Sequence, residues 1–345
     1  MRTILASALW QKYGAMLMAY AAAAMRPVAA LAGLAEAAKM GAAKALVVRA
    51  AAASVATARR ALAGTLVLTA TLSSGCSTVD FAWSMGPAAL GFMADSYLDL
   101  DGEQETLLKE RMLATREWIR VTHAAPLGAQ FASASTRVAG NVTQEDAAWL
   151  TLEGRRRLSL IGARAATEIA AMALRLTPDN IAALRKKFAR NNAEFTTETI
   201  DVTPDKQRAN RFKRVREQFE RWYGDFDDVQ LERLKGLSDA LPMQPRLVLQ
   251  DRVRRQTAML AVLTGLMDKS IPRADGEQRL TVLLTEFERG RSPEFLAVSA
   301  AYLAQAQSIM VQVGSFATPA QRDIAQRRLK RWADDLEKLA NRKDS

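Results

Sequence analysis

One cysteine and one histidine in 345 residues set the first limits on this chain. A single thiol, Cys76, permits no disulfide within the chain and no cysteine-based metal site. A single imidazole, His123, permits no multi-histidine metal site. G-x-S-x-G, the P-loop and G-x-G-x-x-G are all missing, which removes the commonest signatures of hydrolase, nucleotide and dinucleotide chemistry. Neither an alternating β-branched run nor an Asn-Gly hairpin signal is present, so strands are not expected. No cofactor and no metal is expected.

What is present starts with residues 58–76. Arg59 and Arg60 precede an apolar run of about a dozen residues, which ends in Ser73, Ser74, Gly75 and Cys76. Charged start, short apolar centre and small-residue end are the layout of a secretory signal. A membrane-spanning helix needs about 20 apolar residues, and this run is shorter and diluted by Thr65, Thr69 and Thr71. The cysteine after Gly75 resembles the lipobox of bacterial lipoproteins, with one departure: Ser73 stands where that motif usually has leucine. The resemblance implies a diacylglycerol on the Cys76 thiol, cleavage before Cys76 and acylation of the new amino terminus. Ser77, rather than aspartate, then points to the outer membrane, with the domain in the periplasm. Residues 58–75 read as the lipoprotein signal segment and residues 76–345 as the mature domain. The alanine-rich stretch 1–57 lies upstream of a signal that normally begins the chain. It reads as an extension from a misplaced start, with translation expected at or after Met25 and best at Met40.

The formal charge of +11 divides unevenly. Residues 1–75 carry eight basic residues against Glu36 alone, a net +7, so the part from Cys76 onward is only +4. That mild excess, together with export, argues against nucleic acid as a partner. The strongest local concentration is 206–221, with seven basic residues (Lys206, Arg208, Arg211, Lys213, Arg214, Arg216, Arg221) interleaved with Phe212 and Phe219. Its apolar spacing puts Phe212, Val215, Phe219 and Trp222 on a core face and leaves a basic face for solvent. Anionic lipid headgroups are within reach of such a face, and the expectation is that Arg208, Arg211, Lys213, Arg214 and Arg216 are exposed. Partners are therefore the membrane through the lipid anchor and, beyond it, anionic headgroups or an envelope protein.

After Cys76 the pattern is helical. Thr143, Thr177, Thr203 and Thr318 each precede an apolar-periodic run, three of them followed by proline at the first helical position. Asp101 with Gln104 and Asp227 with Gln230 read as capping boxes. Breaks are expected at 123–126, 140–141, 241–245, 271–276, 290–293 and 314–318. Eight to ten helices with short loops make an all-α, multi-helix bundle. Leu98 to Gln104 and Gly224 to Gln230 share D-x-D-x-x-Q after a tyrosine, Tyr97 or Tyr223, as a duplicated helical unit would.

Cys76, then Tyr97-Leu-Asp-Leu-Asp101 with Gln104, Trp118 and Pro126, resemble an uncharacterised proteobacterial family of all-helical lipoproteins, a domain of unknown function. The likeness is best over residues 76–131. It implies location and fold, brings no activity, and marks Tyr97, Asp99, Asp101, Gln104 and Trp118 as motif residues.

Two chemical readings of the acidic residues compete with capping. Asp99, Asp101, Glu103, Glu105 and Glu110 have the spacing of calcium-loop ligands, but Gln104 stands where the loop needs glycine. The pairs Asp99/Asp101 and Asp225/Asp227 offer the two carboxylates of a glycan-acting enzyme. His123 falls near an expected helix end, where a cation is favoured. The leading reading is a membrane-anchored, non-catalytic binding or structural protein; the alternative is the glycan-acting enzyme.

Overall fold

The computed structural model describes residues 78–342. The extension, the signal segment and Cys76 lie outside them. The described residues form helices α1 (Thr78–Leu98), α2 (Gly102–Ile119), α3 (Ala125–Ala139), α4 (Gln144–Ala173), α5 (Pro178–Phe195), α6 (Pro204–Tyr223), α7 (Asp228–Asp239), α8 (Pro245–Met267), α9 (Arg273–Thr285), α10 (Pro293–Phe316) and α11 (Pro319–Ala340), with no strand among them. The protein is an all-α multi-helix bundle.

The starts follow from the caps. Asp101, Thr143, Thr177, Asp227 and Thr318 close reciprocal capping boxes on α2, α4, α5, α7 and α11. Thr203 and Ser292 cap α6 and α10 by side chain alone. Each satisfies a first-turn N–H that would otherwise lack a partner.

The break expected at 123–126 does not occur. Helix runs from α2 into α3 through a π turn, Arg120–Ala124. Pro126 lacks an N–H and its ring crowds the carbonyl four residues back; widening the preceding turn lets the helix continue past it. His123 is therefore buried inside a continuous helix instead of standing at a cationic terminus.

Two cores form. The larger gathers Phe131 of α3, Phe219 and Trp222 of α6, Leu234 of α7, Val313 of α10 and Leu336 of α11. The second gathers the alanine-rich end of α4 with Ile181 and Phe188 of α5, Leu266 of α8 and Leu280 of α9. A smaller cluster joins Phe195, Val248 and Phe295. Helix α4 has 30 residues, about 45 Å at 1.5 Å per residue. It reaches from Ala147 in the first core to Ala166, Ala170 and Ala173 in the second. Helix α1 bridges them likewise, from Val79 to Tyr97. Helix α10 is long and apolar enough to cross a membrane by length and composition; its Ile309, Met310 and Val313 belong to the first core, while only 22% of the apolar window is buried.

Close helix approach excludes a side chain at Gly162, Gly276 and Gly314, and at Gly162 the obstacle is backbone. A Cβ on Gly162 of α4 would sit 2.9 Å from the Leu284 carbonyl oxygen of α9, whereas one on Gly236 of α7 would meet nothing within 4 Å. Gly162→Ala is expected to destabilise by about 1–3 kcal/mol through backbone displacement. Gly236→Ala is expected to stabilise by about 0.5–1 kcal/mol through helix propensity. Paired urea titrations of the two variants check both signs.

Candidate functional site

The motif residues converge on a structural device built twice. In the first copy, Asp101 Oδ1 accepts from the N–H groups of Glu103 (3.0 Å) and Gln104 (2.9 Å). Gln104 Oε1 accepts from the Asp101 N–H at 3.1 Å. The Gln104 amide nitrogen then leaves its own helix, donating to the Arg175 carbonyl (2.7 Å) and to Asn180 Oδ1 (2.9 Å). Asn180 is the third residue of α5, and its Oδ1 also accepts from the Thr177 N–H at 2.7 Å. Its Nδ2 returns to the carbonyls of Leu98 (2.9 Å) and Asp99 (2.8 Å). Two capping boxes are thus locked face to face.

The second copy repeats the arrangement on α7 and α11. Asp227 Oδ1 accepts from the Gln230 N–H (2.8 Å), and Gln230 Oε1 accepts from the Asp227 N–H (3.1 Å). Gln230 Nε2 donates to the Phe316 carbonyl (3.1 Å) and to Gln321 Oε1 (2.9 Å). Gln321 Oε1 takes the Thr318 N–H (2.8 Å), and its Nε2 donates to the Asp225 carbonyl (2.7 Å). All four amide residues are buried. The sequence parallel between 98–104 and 224–230 is therefore a repeated tertiary contact.

Each predicted motif residue now has a place. Tyr97 is buried against Phe188, and its hydroxyl accepts from Asn191 Nδ2 at 2.8 Å. Asp99 is exposed in the left-handed region, at φ +52°, a conformation aspartate tolerates better than most residues. Asp101 and Gln104 form the lock. Trp118 stands away from it, edge-on to His123 with ring centroids 4.4 Å apart. Cys76 lies outside the described residues. Asp101 and Asp227, one from each acidic pair, direct carboxylate oxygens at helix N–H groups. Among the described residues no group of three or more His, Cys, Asp or Glu side chains has the grouping a metal would need.

A separate apolar pocket of about 100 Å³ opens beside the second lock. Phe131, Leu150, Trp222, Tyr223 and Leu329 line it, with Trp149 and an Arg137–Asp146 ion pair among its residues. The Arg137 guanidinium also lies 4.4 Å from the Trp149 ring centroid, a cation–π contact that holds the charge near the apolar lining. Burial pushes the Tyr223 phenol up to about 12, so it stays neutral. No motif announced this pocket; its residues come from five helices.

The basic segment behaves differently from its sequence reading. Arg208, Lys213, Arg214 and Arg216 are exposed, but Arg211 is buried, with Nη2 at 3.3 Å from Asp239. Arg208 pairs with Asp205, Lys213 with Glu217 and Arg216 with Glu220. Much of the face is neutralised by its own helix. Elsewhere Arg252 is buried with its guanidinium 4.1 Å from the Phe195 ring centroid and none of its nitrogens hydrogen-bonded. Burial brings its pKa down to about 10, against an opposing effect of Tyr97, so it remains charged at neutral pH.

The fold and these contacts define an all-helical protein whose helix starts are tied together by side-chain amides beside an apolar pocket. The chain belongs to DUF6279, a family of unknown function, which it matches over residues 96–295. No curated protein and no solved structure matches it.

The capping role makes a graded prediction. Asp101→Asn keeps the cap and should change stability by only a few tenths of a kcal/mol, while Asp101→Ala should cost about 1 kcal/mol. Gln104→Leu takes a partner from the Arg175 carbonyl, from Asn180 Oδ1 and from the Asp101 N–H, and should cost about 1–3 kcal/mol. Chemical denaturation of the three variants ranks them. A second prediction concerns His123, whose Nε2 has no hydrogen-bond partner. Burial, then Arg157 and Arg156, holds its pKa below the ordinary 6.5. The unfolded chain therefore binds a proton that the folded one resists. The stability of the neutral form is complete above about pH 6.5 and falls as pH drops toward the folded pKa. Thermal unfolding of His123→Phe should show a flatter pH dependence between pH 7 and 5 than the parent protein.

Proposed function

We propose that this protein is a lipid-anchored protein of the bacterial cell envelope, held at Cys76, whose helical domain binds a partner without chemistry. The observation that carries the binding reading is the apolar pocket with an ion pair among its residues. A cavity near 100 Å³ is smaller than the ~150 Å³ cavity that accepts benzene. It suits one apolar side chain or the end of an acyl chain, with Arg137 and Asp146 offering polar contacts alongside. The signal-like layout of residues 58–76 supports the anchor, and Ser77 supports the outer membrane. The glycan-acting alternative is disfavoured because Asp101 and Asp227 are engaged as helix caps.

The anchor and the pocket are tested separately. Cys76→Ala should lose the acyl mass and release the protein from membranes. A small apolar probe, xenon, should raise the melting temperature of the parent protein under gas pressure. Ala134→Leu, which fills the pocket from α3 within its volume, should abolish that rise while the variant stays folded. An equal response in both proteins would remove the pocket as the binding site.

A further inference from the structure

Two helices, α1 and α10, have outward faces almost free of charge, and only that of α1 carries large apolar side chains in the open. Most outer faces carry paired charges, as on α6, where Arg208, Lys213, Arg216 and Glu217 stand in solvent. Helix α1 carries only Asp80 and Asp95 in its 21 residues. Its inner side holds Val79 and Tyr97 in the two cores, with Trp83 and Met93 packed against them. Met85, Ala88 and Phe92 are exposed on the opposite side, at steps of three and four, with Phe92 at 69%. Apolar residues at that spacing make one continuous stripe. Nothing within 4 Å would meet a side chain at Gly86 or Gly91.

Chain length identifies what this stripe faces. Only Ser77 separates Cys76 from the first residue of α1. At 1.5 Å per residue Phe92 lies about 21 Å along α1 from Thr78. No linker holds the domain off a membrane to which Cys76 is acylated. Three guanidiniums gather where α1 begins. Arg342 pairs with Asp80 (2.5 Å), Arg120 donates to the Arg342 carbonyl (2.5 Å), and Arg116 lies 5.5 Å from the Trp83 ring centroid. Arg120 is itself paired with Glu117 and Arg342 with Asp80, so the apolar stripe, not net charge, is what would engage a bilayer.

We infer that α1 lies in the membrane interface with Met85, Ala88 and Phe92 among the acyl chains, so that the lipid anchor and α1 together fix the domain's orientation on the bilayer. The inference rests on the anchor proposed above. Acylation of Cys76 leaves the protein with no free thiol, so M85C, F92C and K213C each supply a unique one for a spin label. The labelled, acylated full chain is placed in phosphatidylethanolamine–phosphatidylglycerol vesicles. Membrane-soluble oxygen and a water-soluble nickel chelate then compete as collision partners. Labels at 85 and 92 should favour oxygen at least several-fold over the label at 213, which stands on the charged face of α6. Equal, aqueous accessibility at 92 and 213 in acylated, vesicle-bound protein would overturn the inference and leave the anchor standing. Strong dipolar broadening between labels at 92 would assign the stripe to a second copy and overturn it too. Absence of acyl mass on Cys76 would overturn both the anchor and the inference.

Discussion

An amide at the third position of a helix can do what a carboxylate there cannot, and the bundle depends on that difference. Either group can accept the cap residue's N–H and close a capping box. The carboxylate is then acceptor only, while the amide retains two donors. At α4 the third residue is Asp146, and its outside partner is a cation, Arg137. At α2, α5, α7 and α11 it is Gln104, Asn180, Gln230 and Gln321, and each reaches across to another helix start. Helices distant in sequence are thereby joined at their ends, where unpaired N–H groups would otherwise have to face solvent.

The two locks serve different cores. The first ties α2 to α5 below Tyr97, in the core of α4, α5, α8 and α9. The second ties α7 to α11, and the residues just before it are Trp222, Tyr223 and Gly224. Trp222 and Tyr223 line the pocket, while Gly224 turns the chain at φ +81° toward the Asp227 box. The second lock is thus joined to the pocket wall by a short stretch of chain, whereas the core of the first has no residue in the pocket.

Much of this was legible because it is local. Caps at Asp101, Thr143, Thr177, Asp227 and Thr318 depend on residues three apart, and all took the form the sequence indicated. The lock had a sequence signal in the run of amides, not acids, at four third positions, but their pairing is tertiary and no local rule supplies it. Arg211 was misplaced despite a readable pattern. It falls on the stripe with Val215, Gln218 and Trp222 at steps of four, three and four, and Asp239 from α7 supplies the counter-charge that makes its burial tolerable. The helix through Pro126 was missed because a π turn rescues it, and a proline gives no advance notice of that rescue. The pocket was invisible because five helices contribute to it.

Charge placement separates α1 and α10, with two acids and one acid respectively, from the other helices. The exposed cations of α6 are met within one turn by acids of the same helix, and exposed pairs of that kind contribute little and screen readily. They keep a face soluble without directing it toward anything. The buried cation Arg252 is placed against an aromatic face and is out of reach of solvent. Neither arrangement orients the domain. The arginines near the start of α1 are paired in the same way, Arg120 with Glu117 and Arg342 with Asp80. What differs at α1 is its outward stripe of Met85, Ala88 and Phe92, apolar side chains left in the open where α6 presents paired charge.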